Sequence, residues 1–122
     1  MLVRLACCVA LANLMLMPQG AYAQNCAEEI SKLMSKDTEK LTTRYQRVTR
    51  QIQERGASPK LVQEECRIAR QLKPRLEDQL AAMKQSGCIK DPRMGNMIAD
   101  IVRGHEDDLA MARKTASRSE CR

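Results

Sequence analysis

The sequence predicts an all-α protein: a small antiparallel three-helix bundle (up-down-up) stapled by two disulfide bonds, after a cleaved signal peptide. An apolar leader opens the chain, three later segments repeat apolar residues at intervals of three and four, and four cysteines follow the leader. No segment alternates polar and apolar residues, so we expect no strand. We therefore expect a signal peptide at residues 1–23 and a disulfide-stabilised helical domain at residues 24–122.

The first 23 residues have the pattern of a secretory signal peptide. Arg4 precedes an apolar run over residues 5–17, and Ala21 and Ala23 have the spacing of small residues before a cleavage site. The run is shorter than the roughly 20 apolar residues that a transmembrane helix needs. We therefore expect a secreted or periplasmic protein without a transmembrane segment in the mature chain. The absence of an Asn-x-Ser/Thr sequence favours a bacterial origin.

Two amphipathic segments follow the leader and carry clear helix signals. Apolar residues at intervals of three and four predict a first helix over residues 26–55, which Gly56 ends. Ser58 and Pro59 then provide an N-cap and a proline at the first helical position. The same apolar period predicts a second helix from there to Gly87.

Pro74 lies inside the second predicted helix, and a third predicted helix follows it. Pro74 removes one backbone hydrogen bond, but it lies opposite the apolar stripe, so we expect a bend in the second helix and not a break. Asp91 and Pro92 repeat the start signal, and the apolar period resumes after them. We therefore predict a third helix that fades in the polar tail at residues 114–122.

The predicted topology decides how the cysteines pair. Cys26 begins the first helix and Cys88 follows the second, so both lie at one end of the bundle. Cys66 lies about 10 Å from the other end, where the tail carrying Cys121 arrives. A Cys26–Cys66 bond would have to span roughly 30 Å of helix, and Cys66 and Cys88 are similarly far apart on one helix. We therefore predict Cys26–Cys88 and Cys66–Cys121.

Composition limits both stability and function. The full chain has a formal net charge of +6 and contains no Phe or Trp. Loss of Arg4 with the leader would leave +5, and loss of Tyr22 would leave Tyr45 as the sole aromatic residue. We expect no single-stranded nucleic acid partner, because such sites use several stacked aromatic side chains. The core is thin, so the disulfides matter for stability, and self-association that covers exposed apolar surface is possible.

The only histidine is the single candidate for acid–base chemistry. His105 interrupts the apolar stripe of the third helix, and Asp37 interrupts that of the first at a similar height. We expect a hydrogen-bonded structural histidine; the alternative is a polar core pair of Asp37 and His105 that titrates near neutral pH. The chain has no Gly-rich phosphate loop, no H-E-x-x-H and no G-x-S-x-G. We therefore expect no catalytic residues, no cofactor and no enzymatic activity.

The methionine and cysteine side chains are the candidate ligands for a soft metal ion. Met94 and Met97, with Met111 further along, suggest a thioether site for copper(I). We instead expect core packing, because Met94 and Met97 fall on the predicted buried stripe and Met111 falls off it. The cysteine spacings contain no C-x-x-C pair, which disfavours zinc. We therefore predict no metal site.

Two rows of basic residues are the remaining functional candidate. They are Arg44, Arg47 and Arg50 on the first predicted helix, and Arg67, Arg70 and Lys73 on the second. We expect a solvated face in which they mix with Glu54, Glu64 and Glu65. The functional alternative is weak, salt-sensitive attachment to an anionic envelope polymer, a membrane surface or an acidic protein.

These observations predict a non-catalytic exported protein. We expect a binding, inhibitory or envelope-interaction module that presents rigid helix surfaces to an unknown protein or anionic envelope component. One alternative is an electrostatic binder of anionic polymer or membrane surface through the arginine rows. Another is a soft-metal or pH-responsive periplasmic protein built on Met94, Met97 and His105.

Overall fold

The computed structural model describes residues 19–122, with side chains from residue 25 onward, and these residues are helical with no strand. Four helices form the fold: α1 (Gln19–Leu33), α2 (Lys36–Arg55), α3 (Pro59–Gln85) and α4 (Gly95–Ala116). Short 3-10 turns at Cys88–Lys90 and Ser119–Cys121 complete it. Residues 1–18 of the predicted signal peptide lie outside the described residues, and the predicted cleavage point falls within α1 of the uncut chain.

The predicted first helix is two helices, which corrects the expected count of three. The break lies at Ser35, whose backbone is extended (φ −71°, ψ 129°) and whose hydroxyl accepts a hydrogen bond from the Thr38 amide at 3.4 Å. Asp37 and Glu39 place negative charge in the first turn of α2, where the helix dipole favours it. A serine N-cap followed by acidic residues is a helix start signal, and it overrides the apolar period that runs through it.

The core is organised around α3, which packs against α2 and α4 and also contacts α1. Its buried apolar residues recur at intervals of three and four, and the largest are Ile68, Leu72, Leu76, Leu80 and Met83. Burial of each such leucine contributes roughly 1.5–3 kcal/mol relative to an exposed position. The helix continues through Pro74, which is exposed, so the predicted continuity of this helix is confirmed.

Two disulfide bonds tie the ends of the chain to the core, in the predicted pairs. Cys26 of α1 joins Cys88 in the turn after α3, with their Cα atoms 5.6 Å apart. Cys66 of α3 joins Cys121 near the C-terminus, with a Cα separation of 5.1 Å. Two disulfides are typical of proteins that mature in an oxidising environment outside the cytoplasm.

The connection from α3 to α4 depends on close backbone packing. A Cβ atom at Gly95 would collide with the carbonyl oxygen of Ile89, so only glycine fits there. The predicted helix start at Asp91 and Pro92 is wrong by a few residues. These residues form a turn in which the Asp91 carboxylate accepts a hydrogen bond from the Arg93 amide at 2.8 Å. Helix α4 begins only at Gly95, whose amide donates to the Asp91 carbonyl oxygen at 2.8 Å.

The described helices also bear on the expectation that the mature chain has no transmembrane segment. Across residues 19–122, none of the helices combines the length and the apolar character that crossing a bilayer requires.

Candidate functional site

An open groove lies between α1 and the beginning of α4. It has a volume of about 410 Å³, and its lining is mostly apolar. We call it the methionine groove and define it by Ala27, Ile30, Met34, Met94, Met97, Ile98 and Ile101, with the polar residues Ser31, Lys36 and Glu39. Ile30 and Ile98 are buried in the core and form its base. The helix break at Ser35 shapes the groove, because it ends α1 just before Met34.

Two of the three groove methionines are exposed, which corrects the sequence prediction. Met97 is 53% exposed, although the apolar period predicts that it lies on a buried stripe. Met34, which belongs to the apolar period of the first predicted helix, is 42% exposed. Met94 is half-buried. Met111 is 49% exposed outside the groove, so its predicted position off the buried stripe is confirmed. Flexible methionine side chains on an open apolar surface are typical of adaptable binding sites.

The basic residues singled out from sequence all lie at the surface, but they are not equivalent. Arg44 and Arg67 both approach the Glu64 carboxylate, at 3.0 Å and 4.0 Å, so this acid connects the two rows. The Arg70 side chain donates to the carbonyl oxygen of Cys66 in its own helix. The other three, Arg47, Arg50 and Lys73, form no ion pair with any carboxylate of the described residues.

A stripe of basic residues on α2 was missed by the sequence reasoning. Lys36, Lys40, Arg44 and Arg47 line a second shallow cavity, of about 510 Å³, together with Glu39 and Thr43. We call these four cations the basic face. Their spacing of four, four and three places them on one side of a helix, a signal that the arginine-only rows concealed. Lys36 and Glu39 also line the methionine groove, so the two surfaces are continuous.

Glu65 does not belong to a solvated face, contrary to the prediction. It is 3% exposed, and its carboxylate accepts hydrogen bonds from Arg118 at 2.8 Å and from the Thr49 hydroxyl at 3.2 Å. The adjacent Cys66 holds Cys121 by a disulfide bond. The C-terminal segment is therefore attached to α3 at two neighbouring points, one ionic and one covalent.

His105 forms hydrogen bonds, as the expected structural histidine would, and its partners do not include Asp37, the alternative partner. The histidine Nδ1 lies 2.8 Å from the Ile101 carbonyl oxygen, and its Nε2 lies 2.9 Å from the Gln79 side-chain nitrogen. Both ring nitrogens are therefore within hydrogen-bond distance of a neighbouring group. Asp37 is exposed in the first turn of α2, so the proposed polar core pair of Asp37 and His105 is not formed. His105 instead has the partners of a structural histidine.

A small polar cavity of about 180 Å³ adjoins the histidine. Gln79, His105 and Asp108 line it together with residues from the start of α2. Burial raises the pKa of the Asp108 carboxyl, His105 opposes this rise and Asp107 adds to it. Both imidazole nitrogens of His105 are engaged in hydrogen bonds, and the carboxyls of Asp108 and Glu39 are the other titratable groups of the cavity lining.

Within residues 19–122, no group of three or more His, Cys, Asp or Glu side chains is placed so that it could hold a metal ion. All four cysteines of this part of the chain are in disulfide bonds. The soft ligands that face solvent are therefore thioethers, and those of Met34 and Met97 lie in the methionine groove.

The chain was compared with protein-family models, curated proteins and solved structures, and none of the three comparisons finds a match.

Proposed function

We propose that the protein is an exported, non-catalytic binding module that holds an acidic protein partner with apolar anchor residues. The observation that carries this proposal is the continuity of the methionine groove with the basic face. The groove offers exposed thioether side chains above a buried apolar base, and α2 offers a row of cations beside it. A partner segment that combines apolar and acidic side chains complements both surfaces.

Export is the second part of the proposal. Residues 1–23 act as a signal peptide, and cleavage leaves a mature chain at residues 24–122 in the periplasm or outside the cell. Two disulfides support this location, because they persist where thiols are oxidised. In the mature chain, α2, α3 and α4 form the antiparallel up-down-up bundle, and the short remainder of α1 is attached through Cys26. Such a rigid scaffold suits a binding or inhibitory role.

The energetic argument favours an apolar anchor assisted by charge. Side chains that fill a groove gain about 25 cal/mol for each Å² of apolar surface removed from water. Exposed ion pairs contribute only up to about 1 kcal/mol each and are screened by salt. The basic face therefore steers an acidic partner and sets orientation, while the groove supplies most of the affinity.

Attachment to an anionic polymer or membrane surface through the arginine rows is the alternative. It is supported by Arg47, Arg50 and Lys73, whose charges are not offset by a carboxylate within the described residues. Salt separates the two mechanisms. Purely electrostatic attachment is lost at about 0.5 M salt, where screening acts within a few ångströms, whereas anchoring in the groove persists.

Capture of partners by the oxidised protein tests the proposal. Immobilised wild-type protein, a Met97→Glu variant and a Met111→Glu variant are incubated with extracytoplasmic extract, and the retained proteins are quantified. Each substitution replaces a similarly exposed methionine of α4 with a carboxylate, but only Met97 lies in the groove. We expect an acidic protein that wild type and Met111→Glu retain and Met97→Glu loses. Equal retention by all three would refute binding at the groove.

A charge reversal tests the basic face separately. We expect Lys40→Glu to weaken capture of the same protein and to reduce its salt dependence, because one cation of the face is replaced by an anion. Lys114→Glu near the C-terminal end of α4 carries the same charge change outside both surfaces and serves as the control. Identical effects of the two reversals would show that only net charge matters. If the captured protein is a second copy of this chain, the binding module is a homodimer.

A further inference from the structure

Three thioether side chains come from separate segments of the chain to one groove. Met34 directly follows α1, Met94 directly precedes α4, and Met97 lies in the first turn of α4. All three line the methionine groove. Sequence spacing alone suggested Met94, Met97 and Met111 as a set. The structure replaces Met111 by Met34, which is distant in sequence.

We propose that Met34, Met94 and Met97 bind one copper(I) ion in the methionine groove. Copper(I) is a soft cation that prefers sulfur ligands, and thioethers are among the ligands that select it. The ligands are uncharged, so the site carries a single positive charge that an apolar surface tolerates better than a divalent one. The exposed carboxylate of Glu39 and the exposed ammonium of Lys36 both line the groove, so neither charge dominates around the ion and its binding depends on the thioethers.

Competing soft ligands in the described residues are already committed. Cys26, Cys66, Cys88 and Cys121 are oxidised in two disulfide bonds and offer no thiolate. Both ring nitrogens of His105 are within hydrogen-bond distance of other groups, 2.8 Å and 2.9 Å away. The fifth methionine of the described side chains, Met83, is fully buried in the core. Met111 is exposed but lies outside the groove, apart from the other thioethers. The methionine groove is therefore where a copper(I) ion meets three thioethers together.

Two features hold the ligand-bearing segments in place. The Cys26–Cys88 disulfide ties α1 to the connection between α3 and α4. Gly95, which lies between Met94 and Met97 in the sequence, packs against the backbone of Ile89. Met34 is attached to the first of these segments and Met94 and Met97 to the second. In the proposed complex, rotamer changes of these flexible side chains bring the three thioethers to one ion in the groove that they share.

Competition with a chromogenic chelator tests the proposal. The oxidised protein is titrated without oxygen into the copper(I)–bicinchoninate complex, with ascorbate as the reductant because it leaves the disulfides intact. We expect one equivalent of copper(I) to be withdrawn. Met34→Leu and Met97→Leu are expected to weaken this binding at least about tenfold, the lower end of the effect of losing even an outer-shell partner. Met111→Leu serves as the matched control and should bind as wild type does.

X-ray absorption of the copper(I) complex provides a second readout, and we expect a coordination shell of sulfur alone. Circular dichroism establishes that each variant is folded. The proposal would be overturned if wild type failed to withdraw copper, if Met34→Leu or Met97→Leu bound copper(I) as tightly as wild type does, or if the coordination shell contained nitrogen. Leucine keeps the groove apolar, so Met97→Leu should still capture a protein partner. Loss of copper binding and loss of partner binding are therefore distinguishable.

Discussion

Removal of the Cys26–Cys88 disulfide is the most informative perturbation of stability. In the double variant Cys26→Ala with Cys88→Ala, the constraint on the unfolded chain is lost. The cysteines are 62 residues apart in sequence, and chain-entropy arguments assign a loop of this length about 4 kcal/mol. Small domains have total stabilities of roughly 5–15 kcal/mol, so this bridge accounts for a large share of the stability available.

The second disulfide provides a matched comparison. Cys66 and Cys121 are 55 residues apart, so their removal is expected to cost nearly the same, about 4 kcal/mol. The local consequences should differ. Without Cys121 the C-terminal segment keeps the ion pair of Arg118 with the buried Glu65. Without Cys26, α1 loses the disulfide bond to Cys88, so contacts of buried side chains such as Ile30 must hold it against the core.

Guanidinium unfolding followed by far-ultraviolet circular dichroism measures both variants, and hydrogen exchange resolves the local effects. We expect similar losses of unfolding free energy in the two double variants. Amide protection across residues 25–33 should fall in the Cys26/Cys88 variant well below that in the Cys66/Cys121 variant. If either variant lost less than about 1 kcal/mol, the conclusion that this thin core depends on cross-links would be wrong.

Two substitutions and one pH series give further predictions. Gly95→Ala should destabilise the protein, because the new Cβ atom would collide with the Ile89 carbonyl oxygen. Gly104 has open space around it, so Gly104→Ala should stabilise α4 by about 0.5–1 kcal/mol. Thermal unfolding compares the two variants, and equal shifts of the melting temperature would contradict the packing argument. Burial raises the pKa of Asp108 above its ordinary 3.8, so its contribution to stability is complete below pH 3.8 and is lost as the pH rises through the native pKa. Asp108→Asn should therefore be more stable than wild type at pH 7, and this advantage should disappear below pH 3.8; urea unfolding at both pH values checks the sign.

Local signals predicted much of the fold because they act within a few residues. The N-cap Ser58 and the proline after it begin α3, and Gly56 ends α2 with a positive φ, as the sequence indicated. The disulfide pairs followed from helix order and helix length. The break at Ser35 was missed because the apolar period runs through it, although a serine followed by acidic residues also marks a helix start. Two local signals competed there, and the cap was the stronger.

The candidate sites were less predictable, because burial depends on which segments meet. Glu65 resembles its half-buried neighbour Glu64 in sequence, yet only Glu65 faces Thr49 and Arg118. The alternative pairing of His105 with Asp37 depends on helix heights in an idealised bundle, whereas in the structure the side chain of His105 meets that of Gln79. Met97 lines a groove together with residues of α1, and no local pattern encodes which segments meet there.

The amino-acid sequence by itself determined the helical class, the start of α3 and the pairing of the cysteines, because these depend on local propensity and on the length of a helix. The tertiary structure decided which faces remain open. It brings Met34 to Met94 and Met97, joins the groove to the basic face through Lys36, and buries Glu65. These relations join residues far apart in the chain, and their energies depend on packing between helices.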